Sequence, residues 1–268
     1  MARTGTIRTG IGGWTFAPWR GSFYPEKLRQ KDELNYASRQ LATIEINGTY
    51  YGTQKPATFA KWAKDVPEGF VFSVKGNRFV TNRRVLAEGE ESVERFLGSG
   101  ITELGDHLGP ILWQFAPTKK FDPDDFGAFL SMLPQSRDGI ALKHALEVRH
   151  ESFSSPEFVE LAARHGAAIV YAEHHKYPEI ADVTAPFVYA RLQKGQDDIP
   201  TAYPPETLDL WGQRARVWAE GGAPDGLSYA DPDRSAEVTA RDVFVYFIHE
   251  GKVRAPQAAL ALQERCAD

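Results

Sequence analysis

Strand-like and helix-like stretches alternate along this chain about eight times, and few folds accept that order within 268 residues. Parallel strands cannot be joined by a tight hairpin, so repeated strand-helix steps predict a parallel sheet covered by helices. The strand candidates are Ile7 to Gly13, Thr43 to Asn47, Phe70 to Lys75, Ile111 to Phe115, Ala145 to His150, Ala167 to Tyr171, Phe187 to Leu192 and Asp242 to Ile248. Helical spacing or helix-start signals mark Leu34 to Leu41, Thr58 to Lys64 behind Pro56, and Glu91 to Leu104. The same signals mark Pro123 to Leu133, Pro156 to about Arg164, Glu206 to Glu220 behind Pro204-Pro205, and Ala255 to Cys266. This order predicts an α/β fold, a closed TIM-type (β/α)8 barrel in a single domain over 1–268, with a flexible Gly-, Pro- and Asp-rich loop at about 221–236. A doubly wound open sheet is the alternative. Such a sheet usually carries a Gly-rich nucleotide turn after its first strand, and Gly10-Ile11-Gly12-Gly13-Trp14 lacks the last glycine of that turn.

Parity within the strands points to a site. In Ala145-Leu146-Glu147-Val148-Arg149-His150 the apolar Leu146 and Val148 alternate with Glu147 and Arg149, so the two charges share one face of a pleated strand. Glu45 and Asn47 repeat the pattern in the second strand, and Tyr189, Arg191 and Gln193 repeat it in the seventh. On a half-wet sheet that face is simply the solvent side. In a closed barrel both faces are covered, and charges pointing inward require partners or a ligand.

Charge and cysteine content bound the function. A formal net charge of −5 and a pI near 5.9 argue against a broadly basic nucleic-acid surface, while leaving room for a local basic pocket. The single cysteine, Cys266, excludes an intramolecular disulfide framework and a thiolate zinc cluster and fits a reducing, cytoplasmic setting. Met1 to Gly5 runs into the first strand without an apolar signal core, and no apolar run reaches the roughly 18 residues of a membrane span. A soluble protein without a membrane partner is expected.

Several stretches together resemble a known family. They are Ile11-Gly12-Gly13-Trp14, Trp19-Arg20-Gly21-Ser22-Phe23-Tyr24-Pro25, Glu45-Ile46-Asn47-Gly48-Thr49-Tyr50-Tyr51, Phe72-Ser73-Val74-Lys75, Leu108-Gly109-Pro110-Ile111-Leu112-Trp113-Gln114-Phe115 and Leu146-Glu147-Val148-Arg149-His150. In this order, over nearly the whole chain, they are similar to the YecE-like family, the domain of unknown function 72. The resemblance implies a TIM barrel and carries no reaction with it. Two positions depart from the family pattern: Phe153 stands where a Trp is usual, and Ile248-His249 stands where an Asn-Asn pair usually ends the last strand.

The working face of a TIM barrel is the C-terminal end of its strands, and that position selects the candidate residues. Glu45 and Glu147 are the catalytic candidates, because paired carboxylates can divide the work of base and acid when burial separates their pKa values. Trp14, Trp19, Asn47, Tyr50, Lys75, Arg78, Gln114, Arg149, His150, Arg191 and His249 are the substrate-binding candidates. Lys75, Arg78, Arg149 and Arg191 outnumber the nearby carboxylates, so the expected ligand is a small anion bearing phosphate or carboxylate. The leading reading is an acid/base or hydrolytic enzyme for such a substrate. The other reading is a non-catalytic binding protein for a nucleotide or single-stranded nucleic acid, with Trp14 and Trp19 as stacking surfaces. Against these stand purely structural roles: Glu45 and Glu147 neutralising Arg149 and Arg191, and the tryptophans filling the core. No HExxH-like spacing gathers His150, His174, His175 and His249 into a metal site, no G-x-S-x-G elbow appears, and no motif names a cofactor. The barrel reading places Glu45, Asn47, Lys75, Gln114, Glu147, Arg149 and Arg191 around one pocket, with Lys75 and Arg149 close to the carboxylates.

Overall fold

The computed structural model describes residues 4–234 and 237–267. Its main sheet contains nine parallel strand segments: β1 (Ile7–Gly12), β2 (Thr43–Ile46), β3 (Val71–Lys75), β4 (Leu108–Gln114), β5 (His144–Glu147), β6 (Ala168–Ile169), β7 (Tyr171–Glu173), β8 (Phe187–Lys194) and β9 (Asp242–Glu250). Their spatial order is β6-β5-β4-β3-β2-β1-β9-β8-β7. The two end segments flank Val170 in one run of chain. Ala168 and Ile169 pair with β5, whereas Tyr171 to Glu173 pair with β8. Val170 N also donates to the Leu146 carbonyl at 3.0 Å. One stave thus serves both ends of the sheet, the ring closes on itself, and the architecture is a TIM-type barrel.

Strand parity sorts the core into two parts. Ile44, Ile46, Phe72, Val74, Ile111, Trp113 and Leu146 belong to the larger apolar cluster beneath the helices. Trp113 meets Phe96 and Phe129 there at centroid distances of 5.4 and 5.7 Å. Phe153, at the first departure from the family pattern, is buried against Phe126 and Phe158 at 5.2 and 4.9 Å. The alternate residues fill the barrel itself, where Leu112, Ala145, Tyr189, Phe244, Tyr246 and Ile248 form a second cluster. Hydrogen bonds tie the inner polar groups across strands: Thr43 Oγ1 and Tyr246 Oη lie 2.8 Å apart, as do Ser73 Oγ and Tyr189 Oη.

The covering helices start where the sequence chemistry sets them. Pro123–Ser131 begins with a proline at its first turn, and the Asp122 carboxylate accepts from Asp124 N and Asp125 N, both at 3.1 Å. Pro156–Arg164 is capped by Ser155 Oγ, which accepts from Phe158 N at 3.3 Å. One expected helix is shorter. The stretch Glu91 to Leu104 forms an α-helix only over Glu90–Leu97, and Ile101–His107 continues as 3₁₀ structure. Periodicity carries through both pieces, but Gly100 between them has φ +97°, a backbone conformation that ends a right-handed helix.

No helix intervenes between β7 and β8; residues 174–186 form an irregular crossing. The segment expected as a flexible loop contains no helix or strand over residues 221–234, while 235 and 236 lie outside the described residues. It is fastened to the irregular crossing by the Asp182 carboxylate, which accepts from Ala230 N at 2.7 Å and Asp231 N at 3.1 Å. Ser228 O also accepts from Ala181 N at 2.8 Å. Among the described residues no helix is long and apolar enough to cross a membrane.

Candidate functional site

Inward parity at the C-terminal strand ends brings Glu45 from β2, Glu147 from β5 and Arg191 from β8 into contact. Arg191 donates from Nε to Glu45 Oε2 at 3.1 Å and from Nη2 to Glu45 Oε1 at 3.0 Å. Its remaining Nη1 donates to Glu147 Oε2. One guanidinium therefore bridges both carboxylates, with all three of its nitrogens engaged. Tyr189 Oη donates to Glu45 Oε2 at 2.6 Å. Glu147 Oε1 accepts from Gln114 Nε2 at 2.9 Å and Arg149 Nε at 2.8 Å, and Arg149 Nη2 lies 2.7 Å away.

Glu45 and Glu147 are fully buried and Arg191 is 4 % exposed. Burial alone pushes the Glu147 carboxyl upward, but the guanidiniums of Arg191 and Arg149, the Gln114 amide and the Lys75 ammonium outweigh it and bring it down to about 2. Glu147 is thus an ionised carboxylate with its oxygens occupied. Burial and two carboxylates act on Arg191 in opposite directions, and the carboxylates win, so the guanidinium is held more firmly charged than usual.

Above this layer lies a cavity of ≈ 470 Å³ whose wall includes Asn47, Lys75, Gln114, Arg149, Arg191 and Gln193. These come from the ends of different staves, as expected, but Glu45 and Glu147 do not reach the cavity wall. No carboxylate lines it among the described residues. The charge balance explains what remains. Glu45 and Glu147 are matched by Arg191 and Arg149, which leaves Lys75 and the cavity-lining Lys252 as excess cations.

Lys75 departs from the expected ion pairing. Among the described residues no carboxylate oxygen lies within the 4.0 Å of a salt bridge to its Nζ, which instead sits 4.5 Å from the centroid of the Tyr50 ring. Burial and the Arg191 charge lower its pKa, Glu45 and Glu147 raise it, Arg149 lowers it again, and the outcome is about 8. Arg149 uses Nε and Nη2 on Glu147, and its guanidinium stands 4.9 Å from the centroid of Tyr177. Its Nη1 makes no hydrogen bond among the described residues, so one arm of the fork is available to a ligand.

Other predicted residues serve the structure around the cavity. Trp19 touches the cavity but is buried among Phe16, Phe23 and Tyr24, and its Nε1 donates to Lys252 O at 2.9 Å. Trp14 does not line it. That ring packs on Trp62 and Phe72, and its carbonyl accepts from Tyr24 Oη at 2.5 Å. Arg78 also lies off the wall, exposed near the rings of Tyr51 and Phe79. His150 is a local cap, with Nδ1 accepting from Ser152 N at 3.1 Å. Neither Arg78 nor His150 is brought to the cavity. Gly12 also lines the cavity, and a Cβ there would come within 2.8 Å of Ile248 Cγ2 and 3.0 Å of Asn47 Nδ2, so a larger residue would require those side chains to shift.

His249 lines the cavity mouth with φ +71°, an unfavourable backbone region for a side chain bearing Cβ. Its ring meets His174 edge-on at 5.6 Å. Substituting His249→Gly relieves the backbone and loses that contact, with an expected gain of up to about 1 kcal/mol. Thermal unfolding would measure it; a loss of stability would mean that the imidazole contacts outweigh the strained φ. The four histidines weighed as ligands do not join a group of three or more metal-ligating side chains among the described residues.

Residues missed as site candidates are Gln193, Lys252, Tyr177 and Tyr51. Gln193 was marked by its parity with Arg191, and its Nε2 is buried without a hydrogen-bond partner. Lys252 opens a 3₁₀ turn after β9 and Tyr177 lies in the irregular crossing after β7, where strand parity carries no information. A larger cavity of ≈ 610 Å³ lies between the segments after β3 and β4, lined by Arg83, Arg84, Lys119, Asp122 and Asp125 among others. Lys119 there is already paired with Asp125 at 2.5 Å, and no side chain of the barrel interior reaches it. The cavity over Arg191 is therefore the site that the barrel itself builds.

The family described as "Protein of unknown function DUF72" matches residues 8–268, and the chain belongs to it. A Bacillus subtilis relative named UPF0759 protein YunF is 28% identical over 159 residues, covering 58% of this chain and 54% of that protein. The matched segment thus spans about half of the relative's length. A solved DUF72 family protein from Enterococcus faecalis V583 superposes with TM-score 0.72 at 19% identity, covering 97% of this chain and 95% of that one. Another from Thermotoga maritima MSB8 gives TM-score 0.66 at 22% identity, with coverage of 96% and 97%. At these identities the solved structures establish the shared fold alone.

Proposed function

We propose that this member of the DUF72 family is an enzyme acting on a small anionic substrate, one bearing phosphate or carboxylate, in the cavity over Arg191. The observation that carries the reading is the cavity wall: Lys75, Arg149, Arg191 and Lys252 line it, and no carboxylate does so among the described residues. An acidic protein gathers an unbalanced positive field there, enclosed by low-dielectric walls that strengthen attraction to an anion. Glu45 and Glu147 act in this reading by orienting cations. A carboxylate ionised down to about pH 2 is a weak base near neutrality, and Glu147 already accepts from Gln114, Arg149 and Arg191. Proton-transfer work falls more naturally to Lys75, whose pKa near 8 is close to working pH.

Calorimetric titration with inorganic phosphate and pyrophosphate tests the anion site, followed by turnover assays on phosphorylated sugars and oxo acids. One saturable site is expected, and Lys75→Met should weaken it about tenfold or more, as expected for loss of a charge-assisted hydrogen bond. Equal binding by wild type and variant would remove Lys75 from recognition. Turnover distinguishes the enzyme from a binding protein. Trp14 packs half-buried on Trp62 and Phe72 away from the cavity wall, and Trp19 is buried with its Nε1 tied to Lys252 O, so neither ring favours the stacking wall of the binding-protein reading.

A further inference from the structure

We propose that Lys75 is a covalent nucleophile, forming an imine with a substrate that carries both an aldehyde or ketone and a carboxylate or phosphate. This deepens the anion-site reading and rests on it. Three features of the cavity support the assignment. Lys75 Nζ has no salt bridge among the described residues, although two arginine-paired carboxylates lie in the layer beneath. Those carboxylates are already held by guanidiniums, so the amine keeps freedom of approach. The cavity also supplies groups for an anion other than the nucleophile itself: the unused Nη1 of Arg149, the Lys252 ammonium and the unpartnered, buried Gln193 Nε2.

Lysine acts as a nucleophile only in its neutral form, and enzymes reach that form by desolvation and neighbouring cations. Burial and Arg191 do this to Lys75, opposed by Glu45 and Glu147 and aided by Arg149, with an outcome near 8. About a quarter of the side chains would be neutral at pH 7.5, against roughly one in a thousand for an ordinary lysine. In the forward step the amine lone pair attacks the carbonyl carbon and the C=O π electrons move to oxygen, which takes a proton. The nitrogen gives up one proton to form the neutral carbinolamine, whose hydroxyl takes a second proton and leaves as water while the nitrogen lone pair forms C=N, and loss of the nitrogen's last proton to solvent leaves the neutral imine. The balance is amine plus carbonyl giving imine plus water, without an oxidant or reductant. A protonated imine next to an anchored anion is an electron sink for breaking a neighbouring C–H or C–C bond.

Reductive trapping tests the assignment. The full chain is incubated with pyruvate, 2-oxoglutarate or glyceraldehyde 3-phosphate and sodium cyanoborohydride, then mapped by peptide mass spectrometry, with acetone as the neutral control. The expected result is a single reduced adduct on Lys75 with at least one anionic probe, about tenfold or more above the average surface lysine, suppressed by phosphate and absent in Lys75→Arg. Since arginine is larger, wild-type protein supplies a second readout: adduct formation should be half-maximal near pH 8, whereas ordinary lysine titrates at 10.5. Besides Glu45, Glu147, Arg149 and Arg191, the groups facing this titration are Tyr50 and the cavity-lining His249 and Lys252. Labelling spread evenly over surface lysines overturns the imine. Calorimetric binding of phosphate or of a probe without labelling of Lys75 overturns the imine and leaves the anion site standing. Absence of binding by phosphate and every probe overturns both.

Discussion

Arg191→Met is expected to lower the stability of the fold by about 3 to 5 kcal/mol, the range for removing one partner from a buried ion pair. The guanidinium holds Glu45 through two hydrogen bonds and Glu147 through a third, and both carboxylates are fully buried. Without it, Glu147 keeps Arg149 and Gln114, but Glu45 keeps only the Tyr189 hydroxyl and the Lys75 field as identified support. Two carboxylates would then face each other in a closed interior, and one would take up a proton. Urea denaturation at pH 7 measures the loss. Neutralising the carboxylates as well, with Glu45→Gln and Glu147→Gln added to Arg191→Met, should recover part of it, because the penalty comes from unpaired charge more than from lost pairing. A loss below about 1 kcal/mol in the single variant would show that water reaches the triad.

What the sequence made legible was parity, and what it left out was depth. Alternation in Ala145-Leu146-Glu147-Val148-Arg149 and in Tyr189-Ala190-Arg191 places the charged groups inside a closed barrel, and the hydrogen bonds joining Glu147 to Arg149 and Arg191 agree. Which groups meet depends on the stagger of the strands around the ring, a property of the assembled sheet. That is why Glu45 takes Arg191 instead of Arg149, and why both carboxylates lie below the cavity they were expected to line. Beyond the strand ends parity stops. Arg78 lies three residues beyond the end of β3 yet is exposed, and His150 lies three beyond β5 yet caps the next turn. Trp14 looked like a stacking surface because sequence shows the aromatic but not its partners, Trp62 and Phe72.

The same cavity should give the stability curve two limbs of opposite origin. Glu147 falls from an ordinary 4.5 to about 2 on folding, so the unfolded chain binds more protons between those values. Its contribution is fully present above pH 4.5 and is lost as pH falls toward 2, amounting to about 3 kcal/mol. Lys75 falls from 10.5 to about 8 on folding, so again the unfolded chain holds more protons across that interval, and stability gains a rising component from pH 8 to 10.5. The acid limb stabilises an ionised group that has partners; the alkaline limb relieves a buried ammonium that lacks one. Glu147→Gln should flatten the acid limb and cost about 3 kcal/mol at pH 7, since it leaves the Arg191–Arg149 cluster short of one negative charge. Lys75→Met should flatten the alkaline limb and leave the acid limb largely in place. Urea midpoints for the three proteins at intervals from pH 2 to 10.5 would separate these effects. Equal acid slopes in wild type and Glu147→Gln would mean that Glu147 is not the group held ionised by Arg191.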